Sequence, residues 1–148
     1  MEKMYRLEQI PLVAKELIDA YGDHPVWVFH APMGAGKTTL VSTICKAMGV
    51  EDQVSSPTFS LMNEYQVGNK LIVHMDWYRI EGEEEATRAG LAAAIDEADY
   101  CFIEWPEKAP GIVPENALHL QIEILDPITR KIIAVSYTHL TLPTNREV

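Results

Sequence analysis

The chain has 148 residues, of which 47% are hydrophobic and 23% are charged, as expected for one globular domain rather than a disordered or repetitive chain. Its formal net charge of −10 argues against stable direct binding to the phosphate backbone of a nucleic acid. The sequence has no run of about 18 apolar residues and no signal peptide, and Cys45 and Cys101 lack a disulfide or C-x-x-C spacing. We therefore expect a cytoplasmic protein that does not enter a membrane.

The first predicted element is a helix within LEQIPLVAKELIDAYG. Hydrophobic residues recur there every three or four positions, which is the spacing of one buried helix face: Leu7, Ile10, Val13, Leu17 and Tyr21. Gly22 is a suitable end for this helix. The short apolar run PVWVFHA follows and predicts a buried strand. Helical spacing returns after Gly36 and predicts a second helix that ends near Gly49.

The middle of the chain predicts a hairpin followed by helices. Two strand-like runs flank Gly68 and Asn69, a pair typical of tight turns, and the second run brings Asp76 to a strand end. The acidic, alanine-rich segment EGEEEATRAGLAAAIDEA predicts a helical region interrupted near Gly90. DYCFIEW predicts a further strand, and this strand ends at Glu104.

The last predicted element is a second hairpin, because ALHLQIEIL and RKIIAVS alternate in polarity around Asp126 and Pro127. Residues 136–148 continue no period found earlier. We interpret 136–148 as a disordered or non-native tail and 1–135 as the folded domain.

The segment APMGAGKT nearly matches the phosphate-binding pattern G-x-x-x-x-G-K-[ST], with Ala31 at the position of the first glycine. Such a loop binds phosphate through backbone N–H groups at a helix N-terminus. A small residue with negative φ suffices at position 31. Lys37 is placed to reach the phosphates and Thr38 to hold Mg²⁺. The predicted nucleotide-binding residues are Met33, Gly34, Ala35, Gly36, Lys37, Thr38 and Thr39.

A phosphate loop also needs a carboxylate that organises the metal at the end of a neighbouring strand. Asp76 after LIVHM and Glu104 after YCFI both satisfy this requirement. The segment SSPTF adds Thr58, whose hydroxyl could meet Mg²⁺ or the terminal phosphate, as a switch loop does.

The motifs PMGAGKTTL, SSPTF, HMDWYR and FIEWPE, in this order, resemble those of the TsaE (formerly YjeE) family of bacterial tRNA threonylcarbamoyladenosine biosynthesis ATPases. The resemblance covers about residues 5–135. It implies an α/β fold: a single P-loop NTPase domain whose mixed, mainly parallel central sheet is flanked by helices, with β-hairpins. Ala31 departs from the family's commoner glycine.

The resemblance also implies a function. The family's proteins bind ATP and Mg²⁺, hydrolyse ATP slowly alone, and drive or reset partner subunits of a threonylcarbamoyl transferase complex, with tRNA contacted indirectly if at all. It assigns Lys37 to the phosphates and Thr38 and Glu104 to Mg²⁺. Thr58 and Asp76 fall on switch-like and catalytic positions, so that the implied catalytic residues are Lys37, Asp76, Glu104 and Thr58. Trp105 matches a tryptophan beside the site.

Two other functions remain open from the sequence. A nucleotide-dependent binding module with incidental hydrolysis would have the same loop. A small P-loop kinase is less favoured, because only Arg79 and Arg88 lie between the first hairpin and FIEWPE to form a lid over the phosphates. The chain has no N-K-x-D element after the loop, so guanine recognition is not supported.

Overall fold

The structure is a computed structural model that describes residues 1–54, 57 and 61–136. Within these residues, seven strands form one sheet: β1 (Glu2–Arg6), β2 (Val26–His30), β3 (Met62–Val67), β4 (Lys70–Asp76), β5 (Tyr100–Glu104), β6 (Leu118–Asp126) and β7 (Thr129–Ser136). The helices are α1 (Ile10–Tyr21), α2 (Lys37–Ala47), α3 (Glu83–Arg88) and α4 (Leu91–Glu97). Thr58 lies outside the described residues.

The sheet has the strand order β1-β7-β6-β2-β5-β4-β3. Its inner strands β6, β2, β5 and β4 run parallel to one another, whereas β1, β7 and β3 pair antiparallel with their neighbours. This mixed, mainly parallel sheet flanked by helices confirms the predicted fold class. Strand β2 lies inside the parallel region, so its carboxyl end meets those of β4 and β5 at one edge.

Both faces of β2 are buried. Trp27 and Phe29 pack with α1 and α2 in one hydrophobic cluster, while Val26 and Val28 pack with α3 and α4 in another. A strand covered on both faces reads as a continuous apolar run, which is why VWVF shows no alternation. The core therefore fixes β2 firmly beneath the glycine-rich loop that follows it.

The predicted helices and both predicted hairpins are confirmed, including the interruption at Gly90, which has a φ of 77° between α3 and α4. Strand β1 was not predicted. It is an edge strand that, among the described strands, pairs only with β7, and Tyr5 is the one buried residue of EKMYR. The segment therefore shows no hydrophobic alternation in the sequence. Strand β7 runs to Ser136, the first residue of the predicted tail, and 137–148 lie outside the described residues.

In the described ranges, no helix combines the length and apolar character needed to cross a lipid bilayer.

Candidate functional site

The glycine loop joins β2 directly to α2, as the sequence predicts. Gly34 and Gly36 have φ angles of 81° and 95°, in the left-handed region that favours glycine. A Cβ at either position would meet no atom within 4 Å, so the backbone conformation rather than lack of space calls for glycine. Helix α2 begins at Lys37, which places the loop at a helix N-terminus.

Ala31 fits the loop without strain. Among the described residues, Trp105 is the only non-glycine residue with a positive φ, so Ala31 has the negative φ that its methyl group requires. Its carbonyl oxygen accepts a hydrogen bond from Lys37 Nζ at 3.1 Å. The structure therefore supports the expectation that alanine is tolerated at the loop entrance.

Lys37 is held close to the loop and to one aromatic ring. Its Nζ lies 3.6 Å from the centre of the Trp105 ring, a cation–π contact, and the residue is only 6% exposed. Burial lowers the pKa of the Lys37 ammonium, although nearby carboxylates, Glu104 first, oppose that change. The ammonium group thus lies beside the entrance of the glycine loop.

Trp105 adopts an unusual backbone conformation. Its φ of 61° and ψ of 51° are left-handed, which costs a non-glycine residue about 1–3 kcal/mol. The ring also contacts Tyr78 with a centroid distance of 5.0 Å. Such strain persists only where the surroundings enforce it, and here it directs the indole over Lys37.

The two strand-end acids are neighbours. Asp76 and Glu104 are paired in register at the ends of β4 and β5. Both oxygens of Glu104 lie 3.2 Å from the Thr38 hydroxyl, and His74 Nε2 is 2.6 Å from Glu104 Oε2. Asp76 is partly exposed and accepts the backbone N–H of Tyr78 at 3.0 Å. The structure therefore brings Lys37, Thr38, Asp76 and Glu104 to one edge of the sheet.

A cavity of about 690 Å³ covers this edge, a size suited to a small-molecule ligand. All of the predicted nucleotide-binding residues line it, together with Asp76 and Glu104: Met33, Gly34, Ala35, Gly36, Lys37, Thr38 and Thr39. Further lining residues that the sequence did not assign to the nucleotide are Pro57, Leu61, Tyr78, Arg79, Glu85 and Trp105. The predicted role of Thr58 stays a prediction.

The donor set fits a magnesium ion bound together with phosphate. In the part of the chain that the structure describes, no group of three or more His, Cys, Asp or Glu side chains is placed to hold a metal. The adjacent hydroxyl of Thr38 and carboxylate of Glu104 offer oxygen ligands of the kind that Mg²⁺ prefers, and Mg²⁺ usually completes its shell with phosphate oxygens and water.

His74 is not among the site residues predicted from the sequence. It is completely buried, and its Nε2 donates to Glu104 because a carboxylate offers only acceptor oxygens. Its Nδ1 is one of the buried side-chain atoms without a hydrogen-bond partner among the described residues. The sequence offered one signal for including His74 in the site. His74 and Asp76 are two positions apart on one strand, and alternate residues of a strand share a face.

Comparison with known proteins gives a consistent result. A family model described as threonylcarbamoyl adenosine biosynthesis protein TsaE matches residues 4–132. The tRNA threonylcarbamoyladenosine biosynthesis protein TsaE of Haemophilus influenzae is 34% identical over 128 residues, which cover 86% of this chain and 80% of that protein. The protein of the same name from Aquifex aeolicus is 33% identical over 122 residues, or 81% of this chain and 84% of that one.

A solved structure has a similar fold. The crystal structure of YdiB from Bacillus subtilis aligns with a TM-score of 0.70 over 93% of this chain and 87% of that one, at 23% sequence identity. This likeness supports the architecture of the sheet and its helices.

Proposed function

Because this chain belongs to the TsaE family of tRNA threonylcarbamoyladenosine biosynthesis proteins, we propose that it is the Mg²⁺-dependent ATPase of that modification pathway. In this role it hydrolyses ATP to drive or reset a threonylcarbamoyl transferase complex in the cytoplasm. The observation that carries the proposal is that Lys37, Thr38 and Glu104 come together at the end of a loop whose two glycines have left-handed backbone conformations.

Phosphate binding would use the backbone first. The loop N–H groups and the N-terminal dipole of α2 favour the negative charge of the phosphates. Lys37, which now bonds to Ala31 and lies against Trp105, is close enough to the loop to exchange these contacts for phosphate oxygens. The Lys37 ammonium would then stabilise the charge that develops on the transferred group.

Thr38 and Glu104 would hold the metal ion. Bound Mg²⁺ would supply positive charge that neutralises the phosphate oxygens. Glu104 is 2% exposed and is oriented from two directions, by Thr38 and by His74. This orientation limits how far its carboxylate can turn away from the loop.

Hydrolysis requires a water molecule in line with the terminal phosphate. Water attacks the γ-phosphorus, the bond to the bridging oxygen of ADP breaks, and inorganic phosphate leaves. Asp76, partly exposed beside Glu104, is a candidate to orient that water, and Thr58 is the other. A group from the partner complex could complete the arrangement, which would give slow turnover by the isolated chain.

The test of this function uses a matched pair of lysines on α2. Lys37→Ala should weaken ATP binding at least about tenfold, or ~1.4 kcal/mol, in calorimetry, and remove ATPase activity, because it deletes the loop's own cation. Lys46→Ala removes the same charge from the exposed last turn and should change neither. Equal ATP affinity in the wild type and Lys37→Ala would refute the site.

The pathway role needs a separate assay. Threonylcarbamoylation of tRNA is followed over many turnovers with the partner subunits, with and without this protein, ATP and Mg²⁺. A Glu104→Ala variant that binds ATP without hydrolysing it, yet still supports many rounds of tRNA modification, would favour the binding module over the ATPase. Appearance of a phosphorylated acceptor, instead of free phosphate, would favour a kinase.

A further inference from the structure

Arg130 reaches the glycine loop from β7. Its Nε donates to the carbonyl oxygen of Ala35 at 3.0 Å, and its Nη1 donates to the carbonyl oxygens of Asp126 and Thr129 at 2.8 and 3.1 Å. Arg130 lies outside the set of described residues that line the cavity. Its guanidinium therefore contacts the loop from behind and links it to the turn between β6 and β7.

A buried guanidinium is costly unless its donors are satisfied. Arg130 is 6% exposed, and the hydrogen bonds described above use backbone carbonyls as acceptors. An apolar side chain could fill the same space without this desolvation cost. The arrangement thus points to a need for directed N–H donors at Ala35, beyond simple packing.

The Ala35 carbonyl belongs to the peptide group that contains the Gly36 N–H. In a planar trans peptide the C=O and N–H point in opposite directions, so a carbonyl held towards Arg130 directs the N–H of Gly36 away from it. Gly36 tolerates either sign of φ, and this peptide could rotate at low cost. A hydrogen bond to Ala35 is therefore an effective way to select one orientation.

We propose that Arg130 is a positioning residue of the phosphate loop, which anchors the Ala35 carbonyl and thereby directs the Gly36 N–H towards the bound phosphates. The inference extends the proposed function, since it assumes that the loop binds ATP. The anchoring itself is a property of the protein without nucleotide and can be measured separately.

Two substitutions distinguish geometry from charge. Arg130→Met removes every donor while keeping an unbranched side chain. Arg130→Lys keeps the positive charge but has a methylene group where arginine has Nε, so it cannot form the same bond to Ala35. The control is Lys131→Met, which removes one charge from the next residue of β7, where Lys131 forms an ion pair with Glu2 at 3.0 Å.

The first measurement is the backbone amide signal of Gly36 in ¹H–¹⁵N spectra without nucleotide. Both Arg130 variants should move this signal far more than Lys131→Met does, while thermal unfolding shows that each variant is folded. If Arg130→Met does not fold, Arg130→Lys alone decides. An unmoved Gly36 signal in a folded Arg130 variant would overturn the anchoring, whether or not the wild type binds ATP.

The second measurement is ATP affinity by calorimetry in Mg²⁺. Loss of a hydrogen bond from a charged donor should weaken binding by about tenfold or more in both Arg130 variants, and Lys131→Met should bind as the wild type does. Wild-type affinity in Arg130→Lys would assign the effect to charge and reject the positioning role. Absence of ATP binding by the wild type would reject the proposed function and, with it, the phosphate role of Arg130, while the Gly36 signal would still decide the anchoring.

Discussion

At the level of single residues, Glu104 depends on neighbours from two different elements. Thr38 comes from the first turn of α2 and His74 from β4, and both donate to the Glu104 carboxylate. Partners of this kind usually fix the orientation of a metal-binding carboxylate and tune its affinity. His74 is not among the described residues that line the cavity, so we expect any effect that it has on the site to pass through Glu104.

We predict that His74→Leu raises the Mg²⁺ concentration needed for half-maximal ATPase activity by about tenfold, because Glu104 loses a hydrogen bond that orients it. His74→Gln retains an N–H donor, so the Mg²⁺ concentration that it needs should lie between those of the His74→Leu variant and the wild type. The measurement is a Mg²⁺ titration at saturating ATP, with thermal unfolding as the check on folding. An unchanged Mg²⁺ requirement in a folded Leu variant would show that His74 is structural only.

At the level of elements, the segment from β2 through the glycine loop to α2 contains small residues with two different backbone conformations. Gly34 and Gly36 have left-handed conformations, whereas Ala31 has a negative φ. One added methyl group is therefore strained at Gly34, whereas at Ala31 the backbone has a conformation that any residue can adopt. This difference in backbone conformation explains why the segment can depart from the pattern G-x-x-x-x-G-K-[ST] at Ala31 while it keeps Gly34 and Gly36.

Ala31→Gly should change ATP affinity by less than about tenfold, or ~1.4 kcal/mol, since the alanine already has a permitted conformation. Gly34→Ala makes the same one-methyl change at a φ of 81° and should weaken binding more. Calorimetry on both variants makes the comparison. A gain above tenfold in Ala31→Gly would mean that the missing glycine limits the natural site.

The sequence predicts those elements whose pattern is local. Helical spacing, the turn at Gly68 and the loop from Gly34 to Gly36 depend on neighbouring residues only, and the structure has them where expected. The meeting of Asp76 and Glu104 was also predictable, because both end parallel strands. Strand β1 was missed because an edge strand buries too few side chains to show a period.

Arg130 shows why part of the site could not be predicted. Its acceptor in the loop is a backbone carbonyl, and every residue has one, so no residue type marks the partner. The contact depends on the place of β7 in the sheet, which no local pattern gives. The same applies to the strained Trp105, whose φ becomes known only from the structure.

At the level of the whole molecule, the sheet order brings β7, the last described strand, close to the glycine loop. Strand β6 pairs with β2, β7 pairs with β6, and β1 closes this side of the sheet against β7. The side of the sheet that carries Arg130 is therefore built from strands at both ends of the described chain.

Removal of residues 137–148 should leave ATP affinity and the unfolding temperature unchanged, because the predicted tail continues no hydrophobic period and every proposed site residue precedes it. A deeper truncation that removes 129–148 also deletes β7 and should abolish folding. Calorimetry and thermal unfolding of both truncated proteins test this. A large loss of affinity in the shorter truncation would assign the tail to the domain.

The link between Ala35 and Arg130 also has a consequence in time. The two residues are 95 positions apart, and a ribosome adding about 5–20 residues per second needs roughly 5–20 s to make the intervening chain. During that interval Ala35 and the glycines on either side of it have been synthesised, but Arg130 has not. Under the proposed function, the nascent protein would reach its full affinity for ATP only after β7, the last described strand, has been made, so the nucleotide would stabilise the finished domain more than the growing one.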